Sequence, residues 1–147
     1  MSEQREPYQV YHPHIAFSIP GLPPSGNHLY ATVGNRRMLS RVGREWHQTV
    51  ADACVGARLT GLPWPAKTRL LCVLEFVGLT YIRDVDNAIK ATIDGVAAAL
   101  EFDDRYIDML SANRLPALVP GRQETRVRLA AVEVPTPVIH QRGGENR

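Results

Sequence analysis

The run Arg83-Asp84-Val85-Asp86-Asn87-Ala88-Ile89-Lys90 places two carboxylates one residue apart with a lysine four residues after the second, and Asp103-Asp104 adds two more carboxylates a helix length downstream. Ionised carboxylates at close quarters repel and raise each other's proton affinity, so the grouping is costly without a cation. Mg²⁺ meets that need, taking one or two carboxylates and completing its octahedron with water and phosphate oxygens. A phosphodiester and a hard dication are therefore the partners these residue types suit, with Lys90 adding positive charge at a phosphate oxygen or positioning a water.

Elements on both sides must position these groups. Arg69 to Val77 is nearly continuously apolar, which predicts a strand covered on both faces. Residues i and i+2 of an extended segment share a side, so Asp84 and Asp86, closing out that strand, are expected to face one space. From Asn87 the period changes. Ile89, Ile93, Val96, Ala97 and Leu100 fall at helical spacing, flanked by Lys90 and Asp94, so a helix N-terminus offers its N–H groups beside the acids. Phe102-Asp103-Asp104 then leaves the helix, and acid returns to the site if the next strand pairs beside the first. Simpler roles exist. Asp84 or Asp86 capping the helix contributes about 1 kcal/mol, and Lys90 pairing with Asp86 or Asp94 at i±4 contributes a few tenths. A calcium EF-hand is excluded: counted from Asp84, the loop would put Ala88, Ile89 and Gly95 where it needs an oxygen ligand, a glycine and a glutamate.

The remaining chain reads as scaffold. Its 147 residues form one domain, predicted as residues 13–135 between a flexible lead at 1–12 and a disordered tail at 136–147. Seventeen Lys and Arg against fifteen Asp and Glu give a net charge of +2, so any polyanion partner must be argued from where the arginines lie. Arg36, Arg37, Arg41 and Arg44 form the one local concentration, in a predicted glycine-bearing loop suited to phosphate or equally to solvent. Strands are expected over His14 to Ile19, Ile107 to Arg114 and Thr125 to Val134, and a second helix from Ser40 to Leu59 with Trp46, Val50, Ala53, Cys54 and Ala57 inward. Pro23 to Tyr30, with Ser25 and Asn27, is expected to be a fixed turn rather than helix. Two cysteines, Cys54 and Cys72, fall in apolar elements and read as reduced packing residues of a cytoplasmic protein, and no apolar run approaches a membrane span. The expected fold class is α+β: a small mixed sheet of about four strands carrying two main helices.

The Pro-Pro-Ser-x-Asn turn at Pro23 to Asn27, the Arg-Asp-x-Asp-Asn-x-x-Lys run at Arg83 to Lys90 and the pair Asp103-Asp104, in this order and at these separations, resemble the RusA family of Holliday-junction resolvases. The likeness spans roughly Ile15 to Val134. It implies a RusA-like homodimer, bacterial or phage-encoded, that resolves four-way DNA junctions by paired symmetric nicks with Mg²⁺, Mn²⁺ being the candidate substitute. The family's metal-binding acids match Asp84, Asp86 and Asp104, with Asp103 as the other member of its pair, and its catalytic lysine matches Lys90. Arg83 joins Arg36, Arg37, Arg41 and Arg44 as a candidate DNA contact, and Ser25 and Asn27 form the turn near the site. The chain departs from the family at Leu79-Thr80-Tyr81-Ile82, where members carry several basic residues before the aspartates. Two other readings stand beside this one: a non-catalytic DNA-binding or assembly protein that keeps the acids for folding, and a less structure-selective nuclease of flaps or branched DNA.

Overall fold

A computed structural model describes residues 9–10 and 14–133; the expected lead apart from Gln9–Val10, and the expected tail, lie outside the described residues. Strands β1 (Gln9–Val10) and β2 (Ile15–Pro20) precede a single helical turn α1 (Gly26–Leu29), a hairpin β3 (Tyr30–Val33) and β4 (Arg36–Leu39), and helix α2 (Arg41–Gly56). Strand β5 (Leu70–Val77), helix α3 (Val85–Leu100), a 3₁₀ turn (Asp104–Tyr106), β6 (Ile107–Leu115) and β7 (Glu124–Glu133) follow among the described residues. The architecture is α+β, with a mixed sheet and two principal helices, as the sequence predicts.

Sheet order explains the layout. β7 pairs antiparallel with β5 on one side and with β2 and β1 on the other. β6 lies beyond β5 and runs parallel to it, Leu70 facing Ile107 and Val77 facing Leu115. Side chains alternate along β2, so Ile15, Phe17 and Ile19 turn inward with Cys72, Leu74 and Phe76 of β5 and Val127 and Leu129 of β7. The helices cover this one face. Trp46 of α2 donates its indole N–H to the Ala91 carbonyl of α3 at 3.1 Å, a contact that makes it a packing residue. Both cysteines are buried and free, and burial pushes the Cys72 thiol up to about 12.

Three expectations change. β5 is buried on alternate residues, with Leu71, Val73 and Glu75 only half-buried, because no helix covers the second face; its apolar run reflects shelter between two neighbouring strands. The predicted basic loop is a hairpin: Gly34 adopts φ 62°, and the tight turn pairs Val33 with Arg36. Pro23 to Tyr30 is not turn throughout, since Gly26–Leu29 completes one helical turn once the prolines are passed. None of the described helices is long and apolar enough to cross a membrane.

Two glycines of α2 give opposite expectations. A Cβ at Gly43 would collide with the Leu29 carbonyl, whereas one at Gly56 would meet nothing within 4 Å. Gly56→Ala should therefore raise stability by about 0.5–1 kcal/mol. Gly43→Ala should lower it by about 1–3 kcal/mol, as overpacking outweighs propensity; denaturant midpoints of the two variants check both signs.

Candidate functional site

The approach to the acids is not extended. β5 ends at Val77, Gly78 turns the chain at φ 82°, and Asp84 is the N-cap of α3 while Asp86 lies in its first turn. Asp84 makes no side-chain cap bond, so the capping role expected of it is absent. Both carboxylates are exposed, and Lys90, one turn beyond Asp86, is exposed and forms no ion pair among the described residues. The predicted i±4 pairing of Lys90 is therefore not made. These three charged groups share the positive end of a helix dipole, where carboxylates and phosphate are both favoured.

The second acidic pair stands elsewhere. Because β6 is parallel to β5, the chain must travel back along the sheet before entering it, and α3 makes that journey in 16 residues. At 1.5 Å per residue its ends lie about 24 Å apart. Asp103 and Asp104 follow the far end, so strand pairing sends them away from Asp84 and Asp86 instead of back to them. Ligands of one Mg²⁺ lie about 2.1 Å from it, a span that cannot bridge this separation. No group of three or more His, Cys, Asp or Glu side chains placed to hold a metal ion occurs among the described residues. The expected three-carboxylate set does not fit as a pocket within one chain. Asp103 is also engaged locally, accepting from the Arg105 N–H at 3.0 Å and pairing with Arg105 Nε at 2.7 Å, and both Asp103 and Asp104 are exposed.

The arginines divide by task. Arg83 donates to the Pro23 carbonyl, tying the proline turn to the acid-bearing segment, so this guanidinium serves structure. Arg37 lies over the Tyr30 ring, 4.5 Å from its centroid; Arg41 pairs with Glu45 at 3.0 Å; Arg44 donates to the Leu39 carbonyl at 3.0 Å. Arg36 is exposed on β4. Ser25 makes no side-chain cap bond, though its carbonyl accepts from the His28 N–H at 2.9 Å, and the Asn27 side chain lies outside the described residues.

Sequence reasoning missed a second polar group midway along α3. Tyr30 donates its hydroxyl to Asp94 at 3.0 Å, and His47 of α2 lines the same open hollow of about 640 Å³ with Asp94, Glu101, Asp103 and Asp104. Burial, then the Asp94 carboxylate, raises the Tyr30 pKa; burial lowers that of His47, with Asp94 opposing. His47 Nε2 is buried without a hydrogen-bond partner. The available signal was the spacing Asp86, Lys90, Asp94, which marks one helix face.

No protein-family model matches the chain. No curated protein matches it. Among solved structures, 2C-methyl-D-erythritol 2,4-cyclodiphosphate synthase from Plasmodium vivax aligns at 9% identity over 88% of this chain and 99% of its own, with a TM-score of 0.31. A likeness that low bears on neither the fold nor the site.

His47 carries a pH expectation. Its folded pKa lies below the usual 6.5, so the unfolded chain takes up the proton first as pH falls. Its contribution to stability is complete above about pH 6.5 and is lost as pH drops from there toward the folded pKa. Denaturation midpoints between about pH 7.5 and 5.5 should fall more steeply for the wild type than for His47→Asn.

Proposed function

We propose that this chain is an Mg²⁺-dependent endodeoxyribonuclease that acts on branched DNA, with the four-way junction as its substrate, and works as a homodimer that makes paired nicks. The observation that carries this reading is the set of uncommitted charges at the start of α3: Asp84 without a cap bond, Asp86 in the first turn and Lys90 without an ion pair. Beyond the helix dipole, no side-chain bond or ion pair commits these groups, which leaves them open to an external phosphate. The order of the motifs, which resembles RusA resolvases, supports the same reading.

The chain's own residues have definable tasks. Lys90 and the free N–H groups of α3 attract a phosphate to the helix end, and the arginines of the β3–β4 hairpin and the start of α2 hold the DNA backbone by displacing its counterions. Asp84 and Asp86 stand where that phosphate arrives. Two nicks in one junction call for two sites and hence two copies. Asp104 can join Asp84 and Asp86 only across such a pair of copies, since α3 holds them apart within one.

One observation favours a non-catalytic DNA-binding protein instead: the described residues of a single chain form no three-ligand metal group. Labelled four-way junction, flap and linear duplex, incubated with the protein in Mg²⁺, Mn²⁺ or EDTA, separate the readings. The nuclease cuts the junction only with metal, a flap nuclease cuts the flap at least as fast, and a binding protein cuts nothing. Asp86→Asn should slow cleavage by about a hundredfold or more while junction binding persists; a variant that nicks at the wild-type rate removes the assignment. Mixing Asp86→Asn with Asp104→Asn protein should restore cutting if the acids meet across two copies. Lack of restoration from two stable, inactive variants would show that they do not.

A further inference from the structure

Two large apolar side chains stand in solvent on the turn that delivers the chain to Asp84: Tyr81 is 91% exposed and Ile82 97%. Leu79, just before them, is buried, so the turn has an inward position for an apolar residue and these two do not use it. The turn is nevertheless held firmly. Arg114 of β6 lays its guanidinium over the Tyr81 ring at 5.1 Å and donates from Nη2 to the Arg83 carbonyl at 2.7 Å. Arg83 donates from its own side chain to the Pro23 carbonyl and from its backbone N–H to the Thr80 carbonyl at 3.2 Å. Arg114 Nε is buried with no partner, so a guanidinium is partly desolvated to keep this tip in place.

A ring with a cation on one face and the other face open, beside a projecting aliphatic side chain, has the form of a stacking platform for a nucleobase. Two guanidinium groups, those of Arg83 and Arg114, stand in the clamp beneath the tip. One aromatic side chain of about 150–250 Å² and an isoleucine fall short of the roughly 800 Å² per partner that a stable protein interface uses. They do match one or two bases. In a duplex both faces of each base are covered by stacking, whereas at a branch point bases lose a neighbour and can accept a wedge.

We propose that Tyr81 and Ile82 form a wedge that stacks on unpaired or unstacked bases at the branch point of DNA and thereby selects branched over linear substrate. This rests on the nuclease reading and supplies its shape selectivity.

The test titrates full-length protein into labelled four-way junction and duplex of matched sequence, by fluorescence anisotropy in EDTA. The wild type should prefer the junction, and Tyr81→Ala with Ile82→Ala together should lower that preference by about tenfold or more. Tyr81→Phe should keep it, because the ring stacks and the hydroxyl does not. Both positions are exposed, so folding is not at stake. An unchanged preference in the double variant overturns the wedge. So does an equal loss on junction and duplex, or conversion of a dimer to monomer in sedimentation, which would make the tip a protein contact. Cleavage in Mg²⁺ is scored separately on the wild type. A tip-dependent preference in a protein that cuts nothing leaves the wedge standing and removes the nuclease; junction cutting with a tip-independent preference does the reverse.

Discussion

Parallel pairing of β5 with β6 is the constraint on which the rest of the molecule depends. Two neighbouring strands that run the same way need a connection that recrosses the full sheet, and α3 supplies it. Whatever follows β5 must gather at one end of the helix and whatever precedes β6 at the other. Asp84, Asp86 and Lys90 therefore belong to one end of the molecule, Glu101, Asp103 and Asp104 to the opposite end, and Asp94 lies between. The helix cannot slide to shorten this distance. Trp46 fixes it to α2 through Ala91, and Gly95 gives the Val50 side chain room that a Cβ would take away. A single ion held by both acidic ends would need carboxylates from two chains, since α3 keeps the ends about 24 Å apart within one.

Charge available to a ligand differs from charge counted along the chain. Arg83 and Arg114 spend their guanidinium groups on backbone carbonyls and an aromatic ring, fixing the turn between β5 and α3. Arg41 and Arg44 are also engaged, but at exposed positions. An exposed pair such as Arg41 with Glu45 is worth about 1 kcal/mol at most, so a phosphate can displace the glutamate at little cost. The first two arginines are framework and the second two are reserve.

Local patterns carried most of the fold. β2, β7 and both helices show periods of two and 3.6 because each buries a single face against the other layer, whereas β5 showed as a nearly unbroken apolar run. Three things were hidden for physical reasons. The hairpin was obscured because β3 and β4 are short and solvent-exposed, so they show no apolar alternation. The single covered face of the sheet was obscured because Leu71 and Val73, flanked by strands on both sides, tolerate apolar character without a helix above them. The separation of the acids was obscured because sequence specifies that β6 neighbours β5 far more readily than it specifies direction. An antiparallel partner would have brought Asp104 back toward Asp84; the parallel one cannot. Residue types at the start of α3 were legible, and the Tyr30, His47 and Asp94 group was not, since its members come from three elements.

The same group explains how a short basic ribbon keeps its place on the molecule. A two-stranded hairpin is only marginally stable in isolation, and among the described residues β3–β4 forms a separate two-stranded sheet. It is secured at its roots instead. Tyr30, the first residue of β3, is anchored to α3 through Asp94, and Ser40, immediately after β4, donates to the His28 and Leu29 carbonyls while accepting from the Gly43 N–H at 3.0 Å. Loss of side-chain anchoring increases outward, and the turn at Gly34 and Asn35 lies farthest from both roots. Arg36 and Arg37 therefore sit on a ribbon anchored to the same helix that carries Asp86 and Lys90, with Arg37 laid over the Tyr30 ring and Arg36 exposed.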